Sequence, residues 1–197
     1  MLALIMAGGQ GTRLGMGEKP LVTICNRPMI AHVIDAFEAA GCEVVVVASR
    51  RTPFTKNWCR AHGIALYEAG GVGYVEDIRE AAIELEEERP FFTSVSDIPC
   101  LTPAIIRSTH AAYAESGKMA CSVWVPCHLC DRYGCKARYV ETIDGVEACP
   151  AGINIIHGGA IDDPQEEVKI LLHERRLAFN INTRDELAQV RRFLCGE

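Results

Sequence analysis

The chain alternates between short apolar runs and longer segments in which apolar residues recur at helical spacing. Continuous apolar runs are typical of strands covered on both faces, and the helical spacing predicts amphipathic helices. The predicted strands are residues 2–6, 43–48, 64–67, 91–95, 119–125, 152–156 and 177–181. The predicted helices are residues 28–40, 52–62, 74–88, 103–116 and 164–173, with a C-terminal helix after 183. This order predicts a single α/β domain over 1–197, with a Rossmann-like, doubly wound, mostly parallel (mixed) sheet.

Local signals mark several element boundaries. Pro28 favours a helix start and Gly41 a helix stop. The run Thr183-Arg-Asp-Glu186 has the form of a capping box that opens the last helix. Asp144-Gly145 predicts the turn of a small hairpin. Residues 126–138 show no periodicity and are expected to be irregular.

Composition and charge narrow the function classes. The chain has 197 residues, is 49% hydrophobic and 23% charged, and carries a net charge of −6. An acidic chain without a cluster of Lys and Arg argues against nucleic-acid binding. Its longest apolar runs fall far below the roughly 18 residues that a membrane span requires, and no basic leader precedes the first strand. We therefore expect a cytoplasmic protein with small-molecule partners.

Ten cysteines are many for this length. A chain rich in regular elements does not need disulfides to fold, so we expect reduced thiols. Four of them, Cys25, Cys42, Cys59 and Cys195, are scattered and are expected to behave as small buried residues.

A second group of cysteines lies in the irregular stretch. Cys127, Cys130 and Cys135 have the spacing of a zinc knuckle, with Cys149 or His128 available as a fourth ligand for zinc or an Fe–S cluster. A second C-x-x-C is missing, and the alternative is a set of reduced cysteines in a loop over the substrate. We expect the thiols to carry no metal.

The segment after the first strand holds the strongest chemical signal. It contains Ala7, Gly8, Gly9, Gly11, Thr12, Arg13 and Lys19. Glycines let backbone N–H groups approach an anion closely, while Arg and Lys add fixed positive charge. The pattern predicts a polyphosphate-binding loop; the alternative is a tight glycine turn with exposed cations.

The two common phosphate-binding loops do not match this segment. A P-loop requires Gly-Lys-Ser/Thr, but Gly17 is followed by Glu18 and Lys19 by Pro20. A dinucleotide fingerprint requires a third glycine where Leu14 stands.

Two other groups of polar residues fall at predicted strand ends. Asp97, in Ser-Asp-Ile-Pro after a strand, could hold Mg²⁺ that bridges phosphate oxygens, or could only cap a turn. Asn154, Asn180 and Asn182 lie in strand contexts, where Asn is disfavoured. Their side chains are expected to face a ligand or to hold loop backbone.

The motifs taken together resemble a known family. They are M-A-G-G-x-G-T-R-x-G with E-K-P-L, G-x-G-Y-x-E-D at 71–77, P-A-G-I-N at 150–154 and F-N-I-N-T at 179–183. The first is similar to the signature of nucleotidyltransferases of the nucleotide-diphospho-sugar transferase fold. The last resembles a motif of the molybdenum-cofactor guanylyltransferase branch. The whole set resembles the archaeal GTP:adenosylcobinamide-phosphate guanylyltransferases of cobalamin biosynthesis.

The resemblance implies roles for individual residues. The glycine loop with Arg13 and Lys19 would hold the phosphates of GTP, and Asp97 would hold Mg²⁺. Guanine would lie near Gly73, with Glu76 or Asp77 as acceptors for its N–H groups. The residues implied for the acceptor side are Gly152, Asn154, Asn180 and Asn182.

The implied reaction suits the residues available. The nucleophile would be the phosphate of adenosylcobinamide phosphate, which is already an anion and needs no general base. Positioning and charge neutralisation would then carry catalysis, with pyrophosphate leaving. The alternatives are a molybdopterin guanylyltransferase, a sugar-phosphate nucleotidyltransferase, or a non-catalytic nucleotide or metal sensor. Homodimerisation stays open.

Overall fold

A computed structural model of the chain describes residues 1–9, 11–12, 14–133 and 139–196. The strands are β1 (Leu2–Met6), β2 (Thr23–Ile24), β3 (Arg27–Pro28), β4 (Glu43–Ser49), β5 (Ala65–Ala69), β6 (Pro90–Val95), β7 (Ala120–Pro126), β8 (Glu141–Ile143), β9 (Val146–His157) and β10 (Glu167–Leu171). The helices are α1 (Met29–Ala39), α2 (Pro53–Ala61), α3 (Tyr74–Glu84), α4 (Pro103–Ser116), α5 (Cys127–Arg132) and α6 (Arg184–Cys195). The predicted α/β class is confirmed.

One large sheet organises the described residues. Its strand order is β10-β7-β9-β6-β1-β4-β5, and β8 pairs with β9. β1 is parallel to both β4 and β6, whereas β9 is antiparallel to β6 and β7. The prediction of a mostly parallel, mixed sheet is therefore confirmed. The carboxyl ends of β1, β4 and β6 meet at one edge, which is where open α/β sheets bind ligands.

Helices cover both faces of the sheet. The larger core joins α1, α4 and α6 to one face, where Phe37 packs edge-on against Phe92 with ring centroids 5.4 Å apart. A smaller core on the other face lies under α3 and includes Leu4, Val47 and Ile78. None of the described helices is long and apolar enough to cross a membrane.

Most predicted boundaries are close to the observed ones. The helix over 103–116 has the predicted bounds, and the hairpin at Asp144-Gly145 joins β8 to β9. The capping box of α6 is present: the Thr183 side chain accepts from the Glu186 N–H, and the Glu186 side chain accepts from the Thr183 N–H. These elements follow local rules, so local sequence was sufficient to find them.

The predicted helix over 164–173 is wrong, because this segment is strand β10. It pairs in parallel with β7, and Val168 and Ile170 lie against the larger core. The run alternates polar and apolar residues, which suits an edge strand. The segment became a strand because the edge of β7 was available for pairing. The position of that edge cannot be predicted from the sequence of the segment.

The predicted strand over 177–181 is also wrong. Residues Arg175–Ala178 form a 3-10 turn, and Phe179–Ile181 follow as irregular chain that is assigned to no strand. The segment is buried, which explains why its apolar run imitates a strand. Its tie to the sheet edge is a backbone hydrogen bond from the Ile181 N–H to the Asp97 carbonyl, 3.0 Å long.

The stretch over 126–138 is not wholly irregular, because its first part forms the short helix α5. The expectation that all thiols are reduced is wrong as well. Cys25 and Cys195 form a disulfide that joins the β2–β3 turn to the end of α6, with Cα atoms 5.6 Å apart. The two residues are 170 positions apart, so spacing alone could not pair them.

Candidate active site

A cavity of about 300 Å³ opens at the sheet edge where β1, β4 and β6 end. Its walls come from the glycine loop, the β4–α2 connection, the β5–α3 turn and the residues that follow β6. The lining residues are Met6, Gly8, Gly9, Lys19, Ser49, Arg51, Gly71, Val72, Gly73, Tyr74, Asp77, Val95, Ser96 and Asp97. Sequence predictions from three of these segments, the glycine loop with Lys19, the 71–77 motif and Asp97, thus converge on one cavity.

The glycine loop turns back tightly on itself. Gly11 has φ +64°, and a Cβ placed there would lie 2.8 Å from the Cβ of Lys19. A larger residue at position 11 would push Lys19 away, so glycine is required for both conformation and space. Gly8 and Gly9 face the cavity, whereas Thr12 is exposed on the loop. Arg13, the second predicted cation, lies outside the described residues.

Lys19 connects the loop to two other parts of the chain. Its Nζ forms an ion pair with Asp97 Oδ2 and donates a 2.9 Å hydrogen bond to Asn182 Oδ1. Asn182 Nδ2 in turn donates to Asn180 Oδ1 at 2.7 Å. The structure therefore brings together Lys19, Asp97, Asn180 and Asn182, four residues that the motifs marked independently.

One oxygen of Asp97 has no partner among the residues that the structure describes. The side chains of Lys19 and Asp97 are each 14% exposed, and Asp97 Oδ1 is buried without a hydrogen bond to any described residue. A buried carboxylate oxygen without a partner is costly, and Asp97 is one of the residues that line the cavity. The carboxylate can therefore accept a hard cation, since Mg²⁺ prefers oxygen ligands and is often held by one or two carboxylates together with phosphates.

The β5–α3 turn is shaped by Asp77. Its Oδ1 accepts the N–H groups of Gly71 at 2.9 Å and Val72 at 3.2 Å. This contact holds the turn against the cavity, and Asp77 is 8% exposed. Glu76 is exposed, with its carboxylate folded over Gly73. A guanine-reading role for Glu76 or Asp77 stays a prediction.

Tyr74, which belongs to the motif at 71–77 but was given no role of its own, supplies an aromatic wall of the cavity. The residue is 43% exposed overall, while its hydroxyl is desolvated by burial. This desolvation raises the pKa of the Tyr74 phenol, and the charge of Asp97 raises it further, against a hydrogen bond with Thr93 that lowers it. The phenol therefore stays neutral at ordinary pH and can serve as a hydrogen-bond donor.

Gly152 and Asn154 lie on β9, where that strand passes β6. Gly152 has φ +79°, and a Cβ there would lie 2.5 Å from Val95 Cγ2. Asn154 Nδ2 donates a 3.4 Å hydrogen bond to Thr93 Oγ1 within the sheet. Gly152 thus lets β9 approach the cavity wall at Val95. Asn154 lies two residues further along β9, away from the cavity.

The predicted cysteine group is partly assembled. Cys130 Sγ lies 3.4 Å from Cys149 Sγ, and hydrogen bonds from Cys130 and then Cys127 lower the pKa of the Cys149 thiol. No group of three or more His, Cys, Asp or Glu in the described ranges is arranged to hold a metal ion. Cys135 lies outside those ranges, so the expectation that these thiols carry no metal stays a prediction.

Several lining residues were missed by sequence reasoning. Ser49 ends β4 and Arg51 follows it, and neither belongs to a quoted motif. Val72 and Ser96 belong to quoted motifs but were given no role of their own. All four lie at or just beyond the carboxyl end of a parallel strand, so the strand-end rule applied to every strand would have found them.

Solved structures share this fold. A transferase from Thermus thermophilus covers 95% of this chain and 100% of its own, with TM-score 0.73 and 16% identity. CMP:2-keto-3-deoxy-manno-octonic acid synthetase, solved with CTP, gives TM-score 0.75 at 14% identity over 99% of this chain and 98% of its own. Molybdopterin-guanine dinucleotide biosynthesis protein A from Archaeoglobus fulgidus gives TM-score 0.69 at 17% identity over all of both chains. The chain therefore shares the fold of these three proteins.

Residues 3–193 match the MobA-like NTP transferase domain, and the chain belongs to that family. It is therefore a nucleotidyltransferase. Adenosylcobinamide-phosphate guanylyltransferase of Methanocaldococcus jannaschii is 34% identical over 95% of this chain and 94% of its own length. Mannose-1-phosphate guanyltransferase of Eremothecium gossypii is 34% identical over 59% of this chain but only 36% of its own length.

Proposed function

We propose that the protein transfers GMP from GTP to adenosylcobinamide phosphate, releasing pyrophosphate and giving adenosylcobinamide-GDP. The observation that carries this proposal is the similarity to the M. jannaschii guanylyltransferase, which extends over nearly the whole of both chains. The structural support is the cavity at the sheet edge, which joins the glycine loop to Lys19 and Asp97.

The cavity has the charges that this reaction needs. Both reactants are anions, so the barrier is lowered by holding them together and neutralising their charge. In this proposal the N–H groups of Gly8 and Gly9 and the ammonium of Lys19 hold the triphosphate. Asn182 restrains the Lys19 side chain through its 2.9 Å hydrogen bond, so the charge is held in place before the substrate arrives.

Asp97 would hold Mg²⁺ in this proposal, since no described residue donates a hydrogen bond to its buried Oδ1. The metal, when bound, would neutralise charge on the phosphate oxygens. Since Asp97 Oδ2 also pairs with Lys19, the same carboxylate positions a lysine and offers a ligand.

Two measurements test the proposal. Calorimetry with GTP, ATP, CTP and UTP should show selective binding of GTP. Equal affinity for all four nucleotides would contradict the proposed recognition of guanine. Product analysis with GTP and adenosylcobinamide phosphate should give the GDP adduct and pyrophosphate in the presence of Mg²⁺. If the protein binds GTP but does not convert adenosylcobinamide phosphate, the proposed acceptor is wrong, whereas GTP as the donor substrate still stands.

A sugar 1-phosphate is the second candidate acceptor. It is supported by the similarity to mannose-1-phosphate guanyltransferases over 59% of this chain. The same product assay with mannose 1-phosphate separates the two candidates, because only one should give a guanylylated product at saturating acceptor.

A further inference from the structure

The carboxylate of Glu18 lies at the N-terminus of α2, far from it in sequence. Glu18 Oε1 accepts the Phe54 N–H at 2.8 Å. Glu18 Oε2 accepts both the N–H of Thr55 at 2.7 Å and its hydroxyl at 2.6 Å. These contacts satisfy N–H groups that the first turn of a helix leaves without partners, and the helix dipole favours a negative charge there.

The helix has no cap of its own. Thr52 stands at the N-cap position but makes no side-chain hydrogen bond to the first turn of α2. Its hydroxyl instead bonds with the backbone of Ser49 at the end of β4. Glu18 thus supplies the cap from another part of the chain.

The glutamate also fixes the position of its neighbour, Lys19. On one side of Lys19, the close approach of Gly11 leaves no room for even a Cβ. On the other side, Glu18 is bound to α2 by three charge-assisted hydrogen bonds. The backbone of Lys19 is therefore held from both directions, and its ammonium meets Asp97 and Asn182.

The same contact joins two walls of the cavity. Lys19 lies on one wall, whereas Ser49 and Arg51 precede α2 on another. Thr55 is fully buried, so its end of the contact is rigid. The distance between the two walls therefore depends on the Glu18 carboxylate.

We propose that Glu18 is a positioning residue for nucleotidyl transfer, which fixes the Lys19 ammonium against the nucleotide by clamping the glycine loop to α2. Glu18 acts through Lys19 and does not itself touch the substrate. The inference rests on the proposed binding of GTP at this cavity, but not on the identity of the acceptor.

The test is a double-mutant cycle between Glu18→Gln and Lys19→Ala, read as the Kd for GTP by calorimetry and as kcat/KM. Gln keeps the length of Glu, but its amide nitrogen cannot accept from the helix N–H groups. Glu18→Gln alone should weaken GTP binding and lower kcat/KM by about tenfold. In the Lys19→Ala background it should change either value less than about twofold, because the group it positions is gone.

A merely structural role predicts a different pattern. Glu18→Gln would then lower the Tm equally in both backgrounds and leave GTP binding unchanged in well-folded protein, and that outcome overturns the proposal. An equal loss of GTP affinity in both backgrounds also overturns it. Thr55→Val, which removes one of the three bonds, should show a smaller effect with the same dependence on Lys19.

The matched control is Glu38→Gln, since Glu38 is exposed on α1 and has no such role. It should leave both GTP affinity and Tm unchanged. The acceptor assay remains separate. Wild-type protein that binds GTP but does not turn over adenosylcobinamide phosphate contradicts the proposed acceptor, whereas intact binding in Glu18→Gln contradicts only the clamp.

Discussion

The buried pair of Lys19 and Asp97 gives a prediction in which two single substitutions have unequal costs. Lys19→Met removes the ion-pair partner of Asp97 Oδ2, and within the described ranges Oδ1 already has no hydrogen-bond partner. The variant therefore buries a carboxylate that has lost its ion pair. Asp97→Asn leaves Lys19 with its 2.9 Å hydrogen bond to Asn182, and the new amide oxygen can still accept from Lys19.

The magnitudes follow from burial. Breaking a buried ion pair by removing one partner costs about 3–5 kcal/mol. Both side chains here are 14% exposed, so we expect the lower end, roughly 3 kcal/mol, for Lys19→Met. Asp97→Asn should cost about 1 kcal/mol, because no charge is left without a hydrogen-bond partner. Adding Asp97→Asn to Lys19→Met should restore stability, since it removes the unpaired buried charge.

Urea denaturation of the wild type, both single variants and the double variant measures these free energies of unfolding. The decisive result is the order of stability: the double variant should be more stable than Lys19→Met. A double variant that is less stable than either single one would refute the reasoning. Activity should not follow stability, because each of the three variants lacks the positioned charge of Lys19, the carboxylate of Asp97, or both. The activity of each variant should therefore fall by about 100-fold or more.

Three further predictions concern stability and thiol reactivity. Gly152→Ala should lower the free energy of unfolding by about 3 kcal/mol in a urea titration, because φ is +79° there and the added Cβ would collide with the Val95 side chain. Gly145→Ala, at the same φ but with open space around it, should cost only about 1 kcal/mol in the same titration. Cys195→Ser should remove the disulfide to Cys25 and cost about 2–5 kcal/mol, and an equal Cm for oxidised and reduced wild-type protein would contradict this. Burial raises the pKa of Cys121 to about 11, so mass spectrometry should find it unmodified by iodoacetamide at pH 8 in native protein and modified after unfolding.

The sequence by itself determined the fold class and most of the elements. The apolar runs and helical spacings fix strands such as β4 and helices such as α4 because these signals are local. The glycine loop was recognisable for the same reason, since its chemistry depends on residues close together in the chain. Asp97 and Asn182 could be predicted as site residues because each is a polar residue in or just after an apolar run that predicts a strand.

Only the tertiary structure decided how these residues meet. The 164–173 segment became a strand because β7 offers it an edge, and the 177–181 run was buried without joining the sheet. The pairing of Cys25 with Cys195 likewise joins positions that are distant in sequence. The contacts of Glu18 with α2 depend on a turn that places residue 18 beside residue 54. Such long-range contacts have no local signature, because their energy comes from partners that the chain brings together only on folding.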